Sequence, residues 1–319
     1  MNDRNKIHIG NYEREIALTE QLLRSPAVLL YLFFWLACFL AVVAQVLLPR
    51  VEIISLPVPT GVACGQFIFF PLLTLGFVYY QGIRFPSGIN RIEVPVRRSN
   101  LEGFAAFLLY GLWVFFLSRK LLTDWYPLPF IHTIGNFLEG LDFISAWAAT
   151  TVEVFLELVL LQLLPTVLIF LVIFRYGWRD FGIRWHFLWT VGVVLMVILA
   201  GFFLLGKEPE ASLQYRIGAS LLQLVAVVFP EEFFYRGVLQ TRMERLFINP
   251  LNGIVVAGVL FGLAHYPHLY FEGYTQFQAL ITSLFYQGNA GLFLGLVYYH
   301  IRHLGPVIFL HLLLNIIFL

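Results

Sequence analysis

Two adjacent glutamates and an arginine in an apolar stretch are the first candidates for chemistry. Glu231 and Glu232 stand about 100° apart around a helix, so their side chains cannot share one face. Glu232 and Arg236 are four residues apart and can pair as a salt bridge. Glu231 then has no local partner, which makes it a candidate general base. The alternative is a charge cluster exposed to water at a helix end.

Two histidines and an asparagine occur in later apolar stretches. His265 follows Gly258 and Gly262, a pair of small residues that lets another backbone approach closely. His311 and Asn315 are four residues apart, so they lie on one helix face, among Leu and Ile. Polar groups in such surroundings need partners inside the protein. The plainer interpretation is that they only join helices by hydrogen bonds.

The composition indicates that these residues lie in membrane helices. Of 319 residues, 60% are hydrophobic and 12% are charged, against about 45–50% and about 25% in soluble domains. A soluble protein could not cover so much apolar surface with so few charges. The composition excludes a secreted disulfide scaffold, a soluble dinucleotide-binding enzyme and a nucleic-acid-binding protein with a basic face.

Apolar runs that approach the length of a bilayer crossing recur along the chain. We expect an all-α, polytopic transmembrane bundle of about nine spanning helices, with the catalytic core in the C-terminal half. Pro165 lies inside the fourth run and can kink a membrane helix without ending it. The last two runs are short. The runs are 27–48, 61–80, 101–118, 147–174, 187–206, 215–235, 253–271, 288–301 and 305–319.

The distribution of basic residues predicts the orientation. With the N-terminus in the cytoplasm, 15 of the 20 Lys and Arg residues fall in inside segments and five in outside segments. We therefore expect an integral membrane protein with a cytoplasmic N-terminus, in the bacterial inner membrane. The rise per helical residue then puts Glu231, His265, His311 and Asn315 in the cytoplasmic half of the membrane, where they could meet.

Glu153 and Glu157 are a weaker pair of candidates near the outer end of the fourth run. They are four residues apart and can lie on one helix face. We expect them to be exposed to water, the alternative being a second polar cavity.

Three motifs together resemble a known family. Glu231-Glu232-x-x-x-Arg236, Phe261-x-x-x-His265 and His311-x-x-x-Asn315, in this order, are similar to the motifs of the CAAX protease and bacteriocin-processing family of intramembrane proteases. The segment 181–184, Phe-Gly-Ile-Arg, resembles a further family element. The resemblance covers residues 176–319, which implies a protease core there. Residues 1–175 would be an N-terminal cytoplasmic segment and additional transmembrane helices.

The resemblance implies a role for each motif residue. Glu231 would activate water, His265 would help to hold that water, and His311 and Asn315 would donate hydrogen bonds to the oxyanion. Glu232 and Arg236 would support the site. The substrate would be a membrane-associated, prenylated or precursor protein or peptide that enters from the membrane or the cytoplasmic side. The lipid bilayer is the other expected partner, and no nucleic acid is expected.

The cofactor and the function class leave alternatives. Zinc could be held by Glu231, His265 and His311, but the sequence has no HExxH motif and no thiolate in the cluster, so we favour a metal-free site. A proton-coupled transporter could use Glu231 and His265 as a relay, although its polar residues would be expected in both halves of the chain. An immunity-type protein with the same fold but no chemistry should tolerate loss of Glu231.

Overall fold

The computed structural model of the protein describes a helical chain. It covers residues 25–47, 72, 74, 76, 97–123, 129–140, 152, 153, 155–183, 192, 220, 221, 223–247 and 249–318. These residues are helical apart from short turns, and no strand occurs among them. The α-helices are α1 Pro26–Leu47, α2 Ser99–Thr123, α3 Pro129–Glu139, α4 Leu164–Val167, α5 Phe229–Glu232, α6 Thr241–Leu246, α7 Pro250–Ala264, α8 Tyr266–Phe271, α9 Gln276–Thr282, α10 Gly288–Ile301 and α11 Leu304–Phe318.

Segments of π-helix extend several of these α-helices. Helix α4 is flanked by π-helical segments Leu158–Leu163 and Leu168–Ile173, and α5 by Leu224–Val228 and Phe233–Gln240. A fifth segment, Ser283–Gln287, joins α9 to α10, and a 3₁₀ turn covers Trp178–Phe181. Pro165 is the second residue of α4, and the helix continues past it, as predicted.

Four helices in the described residues are long and apolar enough to cross a membrane. They are Ser99–Arg119, Phe155–Ile173, Pro250–Phe271 and Gln276–Ile301. Helices Pro26–Leu40 and Leu304–Asn315 are apolar but shorter. Many large hydrophobic side chains on these helices are exposed, Phe33 and Phe104 among them, which suits contact with lipid. The described residues form only helices and turns, and their long apolar helices fit an integral membrane protein. Most of the predicted runs 61–80 and 187–206 lies outside the described residues.

The prediction that the run before the last is short is wrong. The helix begins at Gln276, twelve residues before the predicted start, and the span Gln276–Ile301 has 26 residues. Thr275 caps it, because its hydroxyl accepts a hydrogen bond from the backbone N–H of Gln278 while the Gln278 side chain accepts one from the Thr275 N–H. The polar residues of this first turn hide the helix from a hydropathy pattern.

The expectation that Glu153 and Glu157 are exposed to water is also wrong. Glu157 is 6% exposed. Glu153 lies beneath helix α3, where its Oε1 is 3.6 Å from Nδ1 of His132. Gly135 of α3 makes room for it, since a Cβ there would lie 2.6 Å from Oε2 of Glu153. The short helix α3, which lies between the third and fourth predicted runs, therefore covers the Glu153 carboxylate.

The described residues divide into two compact units. One lies within Met1–Glu93 and Gln240–Ile301, the other within Val94–Leu239 and Arg302–Leu319. In the first unit, the predicted close approach at Gly258 and Gly262 is confirmed. A Cβ on Gly262 would lie 2.3 Å from the carbonyl oxygen of Ser283, and one on Gly291 would lie 3.0 Å from the carbonyl oxygen of Gly258. Helix α7 thus packs with its backbone directly against α10 and the segment before it.

Helix α1 is tied to the same unit by polar contacts. The Tyr31 hydroxyl donates to Oδ1 of Asn289 over 2.7 Å, and the Ser25 hydroxyl donates to Oδ1 of Asn252. Tyr31 also packs on Phe285, with ring centroids 6.0 Å apart. Hydrogen bonds between helices compensate the burial of these polar groups in an apolar surrounding.

We predict that Gly262→Ala lowers the free energy of unfolding by about 2 kcal/mol or more, since the added methyl group meets backbone atoms that cannot move aside. Denaturant-induced unfolding in detergent micelles measures this. The matched control is Gly111→Ala in α2, where a Cβ would meet nothing within 4 Å. The control should be neutral or stabilising by up to about 1 kcal/mol, the helix preference of alanine over glycine. Equal effects of the two substitutions would contradict the close packing.

Candidate active site

The helical segment that carries the paired glutamates has a proline in its first turn. Pro230 is the second residue of α5, directly after the π-helical segment Leu224–Val228. Proline lacks a backbone N–H, so it interrupts the ladder of helical hydrogen bonds. Glu231 and Glu232 follow at once. Their side chains leave the helix in different directions, as the sequence predicts.

The 3₁₀ turn Trp178–Phe181 packs against the π-helical segment that follows the glutamates. Phe181 is fully buried, and its ring packs edge-on against that of Phe233 with centroids 5.3 Å apart. Gly237 leaves room for Phe181, because a Cβ on Gly237 would lie 3.3 Å from that of Phe181. The carbonyl of Gly182 then accepts a hydrogen bond from the N–H of Leu304 over 2.9 Å. The turn thereby fixes the start of helix α11 relative to the glutamate segment.

Apolar packing then orients α11 towards the glutamates. Leu312 and Val228 are buried against each other, with Leu224 and Ile308 packed around them. This contact holds the neighbouring residue, His311, beside α5. Backbone position and apolar packing together bring an imidazole to the two carboxylates.

Four polar side chains meet at this place. Arg236 Nη1 lies 3.0 Å from Oε1 of Glu232, and both side chains are buried, 2% and 0% exposed. Nδ1 of His311 lies 2.6 Å from the same Glu232 oxygen. On the other side of the ring, Nε2 of His311 lies 3.8 Å from Oε2 of Glu231. His311 therefore stands between the two carboxylates.

The hydrogen bond to Glu232 assigns the proton of His311. A carboxylate that is paired with arginine is ionised and accepts hydrogen bonds, so Nδ1 of His311 is the donor. In the neutral ring, Nε2 then has a lone pair and faces Glu231 across a gap too long for a direct hydrogen bond. A second proton on the ring would turn Nε2 into a donor. Nε2 of His311 can thus accept a hydrogen bond when the ring is neutral and donate one when the ring carries both protons.

The two remaining predicted residues are Asn315 and His265. Asn315 is one turn beyond His311 in α11 and is partly exposed. His265 belongs to the other compact unit. It terminates α7, and its Nδ1 lies 2.9 Å from the carbonyl oxygen of Phe261. Its predicted place in the middle of the apolar run 253–271 is confirmed, because α7 and α8 together form the span Pro250–Phe271 and His265 lies at the junction between them.

Comparison with known proteins adds a family assignment. Residues 213–317 match the family model described as type II CAAX prenyl endopeptidase Rce1-like. Residues 213–317 form an Rce1-like domain. The resemblance drawn from the three motifs is confirmed, since all three lie in the matched range. No curated protein and no solved structure matches the chain.

Two of the three residues predicted as possible zinc ligands, Glu231 and His311, lie together in one compact unit. A catalytic zinc takes three protein ligands. Glu231 and Nε2 of His311 offer two donors on one side of the imidazole, while Glu232 is bound at Nδ1 on the other side and cannot reach the same ion. Among the residues that the structure describes, no group of three His, Cys, Asp or Glu side chains could hold a metal.

Sequence reasoning missed the contact between His311 and Glu232. The i,i+4 spacing predicts the ion pair of Glu232 with Arg236, and the structure has that pair. The bond from His311 joins residues 79 positions apart, and no local spacing predicts it. The one available signal was a second carboxylate beside Glu231, which could have suggested a shared imidazole.

We predict that Arg236→Leu lowers the free energy of unfolding by about 3–5 kcal/mol, because the substitution leaves the Glu232 carboxylate buried without its cation. Unfolding in detergent is the measurement, and Arg245→Leu is the control, since Arg245 is exposed. The control should change stability by no more than about 0.5 kcal/mol. A small loss in both variants would contradict a buried ion pair.

Proposed function

We propose that the protein is an intramembrane endopeptidase that hydrolyses a peptide bond with water activated by Glu231. The observation that carries this proposal is the separation of 3.8 Å between Oε2 of Glu231 and Nε2 of His311. A water molecule at about 2.8 Å from each atom would form a triangle with them. Such a water can give a proton to Glu231 while the ring holds it in position.

The proton movements follow from this arrangement. Glu231 takes a proton from the water while the water oxygen attacks the scissile carbonyl carbon. Glu231 then returns that proton to the departing nitrogen when the C–N bond breaks. If the ring carries a proton on each nitrogen before the water reacts, Nε2 donates a hydrogen bond to the oxyanion and keeps its proton throughout, while Glu232 stabilises the positive charge of the ring through Nδ1. The role of Glu232 resembles that of the carboxylate that orients and stabilises a catalytic imidazole in other hydrolases.

The burial of the site supports catalysis by fixed charges. Glu232 and Arg236 are withdrawn from water, and the Glu231 side chain is 16% exposed. In surroundings of low dielectric, a donor that is already aimed at the oxyanion is worth more than in water. The ion pair therefore supports both the position of His311 and the charge that it can carry.

Two further roles rest on the motifs of the Rce1-like domain. Asn315, one turn from His311, is a second donor to the oxyanion, and His265 helps to hold the water. We favour water activation without a metal, with a zinc-dependent version of the same protease as the alternative. The substrate is a membrane-associated, prenylated or precursor protein that enters from the membrane or the cytoplasmic side.

We also propose the arrangement of the chain in the membrane. The chain crosses the bacterial inner membrane nine times, with its N-terminus in the cytoplasm. Residues 176–319 form the protease core, and residues 1–175 form a cytoplasmic segment and additional spans. The excess of basic residues in alternate loops supports this orientation.

This topology predicts opposite sides for two loops. Reporter fusions after Arg98 and after Lys207 should report the cytoplasm and the outside, respectively. Two reporters on the same side would contradict the nine-span arrangement.

For the chemistry, we predict that Glu231→Gln lowers kcat by at least about 100-fold, because the amide keeps the shape of the side chain but cannot accept the proton. The probe is a fluorogenic, S-farnesylated peptide that ends in a CAAX sequence. The matched variant is Glu232→Gln, which should retain more activity than Glu231→Gln and lose more stability, since it removes the partner of Arg236 and His311.

Two results would contradict the proposal. Equal kcat in the folded Glu231→Gln variant and the wild type would remove Glu231 from the mechanism. About one equivalent of zinc in the purified protein, lost in His311→Ala together with activity, would replace the metal-free version by the zinc-dependent one.

A further inference from the structure

The amide of Gln162 is buried and unpaired within the part of the chain that the structure describes. The residue is 2% exposed, and neither Nε2 nor Oε1 of its side chain has a hydrogen-bond partner there. Its backbone carbonyl, by contrast, accepts a hydrogen bond from the Thr166 hydroxyl over 2.5 Å. An amide withdrawn from water without hydrogen bonds is costly, and native proteins contain few such groups. Such an amide is ready for a ligand that supplies the missing bonds.

Gln162 lies on a segment that packs against the proposed catalytic glutamates. The π-helical segment Leu158–Leu163, which contains Gln162, contacts both Leu224–Val228 and α5, the helical turn of Glu231 and Glu232. These elements all belong to one compact unit. The unpaired amide is therefore carried by the immediate neighbour of the segment that would activate water.

The chemistry of the amide selects its ligand. A glutamine side chain offers an oxygen acceptor and two N–H donors and carries no charge. One residue of an extended peptide presents the complement, a backbone N–H and a backbone C=O, and this exchange is how extended peptides bind to strand edges. Lipid tails offer no hydrogen bonds, and an anionic headgroup would leave the amide oxygen unpaired. A peptide main chain satisfies both halves of the amide.

We propose that Gln162 binds the main chain of the substrate peptide beside the bond that is cleaved. The proposal rests on the endopeptidase function proposed above and adds a substrate-binding residue to it. Residue 162 lies outside the range that matches the Rce1-like family model, 213–317. The N-terminal part of the chain would then take part in substrate recognition, in addition to spanning the membrane.

The test is Gln162→Leu, which replaces the amide by an apolar group of similar size. The melting temperature should rise, because an unsatisfied buried polar group is removed. The KM for the S-farnesylated CAAX peptide should rise about tenfold, the effect of two lost hydrogen bonds, while kcat changes less than about threefold. If Gln162 merely holds helices together, the substitution should instead lower the melting temperature of the protein and leave KM unchanged.

The matched control is Thr166→Val on the same helix. It removes a hydrogen bond that is made in the free protein, so the melting temperature should fall while KM stays as in the wild type. An unchanged KM in Gln162→Leu overturns the proposal, whatever happens to the melting temperature.

A second measurement separates this proposal from the proposed function. The binding of the same peptide is measured by fluorescence anisotropy in a Glu231→Gln background, with and without Gln162→Leu. Weaker binding in the double variant supports Gln162 as a substrate-binding residue, even if the wild type never cleaves the peptide. A wild type that binds the peptide without cleaving it would contradict only the proposed endopeptidase activity. Cleavage by the wild type with equal binding in both variants sinks the Gln162 proposal alone.

Discussion

A buried carboxylate that needs two partners is the constraint on which the candidate site depends. Glu232 is fully buried, with Arg236 at 3.0 Å and Nδ1 of His311 at 2.6 Å from the same oxygen. An isolated charge in this place would be prohibitive, so both partners have to be present whenever the helices are assembled. Arg236 is supplied by the helix itself, one turn on. His311 comes from α11, so this hydrogen bond also requires the end of the chain to pack in one position.

The environments of the two glutamates explain how neighbouring, identical side chains can do different work. Glu232 is fully buried, and its Oε1 is held by both a cation and a hydrogen-bond donor. Glu231 lies about 100° around the helix, keeps some exposure, and faces the other ring nitrogen of His311 without a direct hydrogen bond. One carboxylate therefore builds the site and the other is left available for chemistry.

Local spacing carried most of what could be predicted from the sequence. The i,i+4 pair of Glu232 and Arg236, the close approach at Gly262 and the passage of a helix through Pro165 all depend on a few neighbouring residues. The burial of Glu153 could not be predicted in the same way, because it depends on α3 lying over it, and the start of the helix at Gln276 was hidden by polar capping residues. His265 lies inside the apolar run, as its sequence position predicts, and the hydropathy run conceals only the junction between α7 and α8 at this residue. The bond from His311 to Glu232 depends on how the Phe181 turn and the Leu312 contact place two distant helices.

The amide of Gln162, which has no hydrogen-bond partner among the described residues, bears on where the boundary of the proposed catalytic site lies. Residues 213–317 hold every motif that identifies the Rce1-like domain, yet the segment that carries the glutamates is covered by Leu158–Leu163. A hydrolytic site inside a membrane must keep lipid away from the reacting water and hold an extended peptide whose backbone groups have no water to bond. The motif residues supply the charge chemistry but few neutral groups that could pair with a peptide backbone. A helix outside the range that matches the family model can supply such groups without taking part in moving the proton.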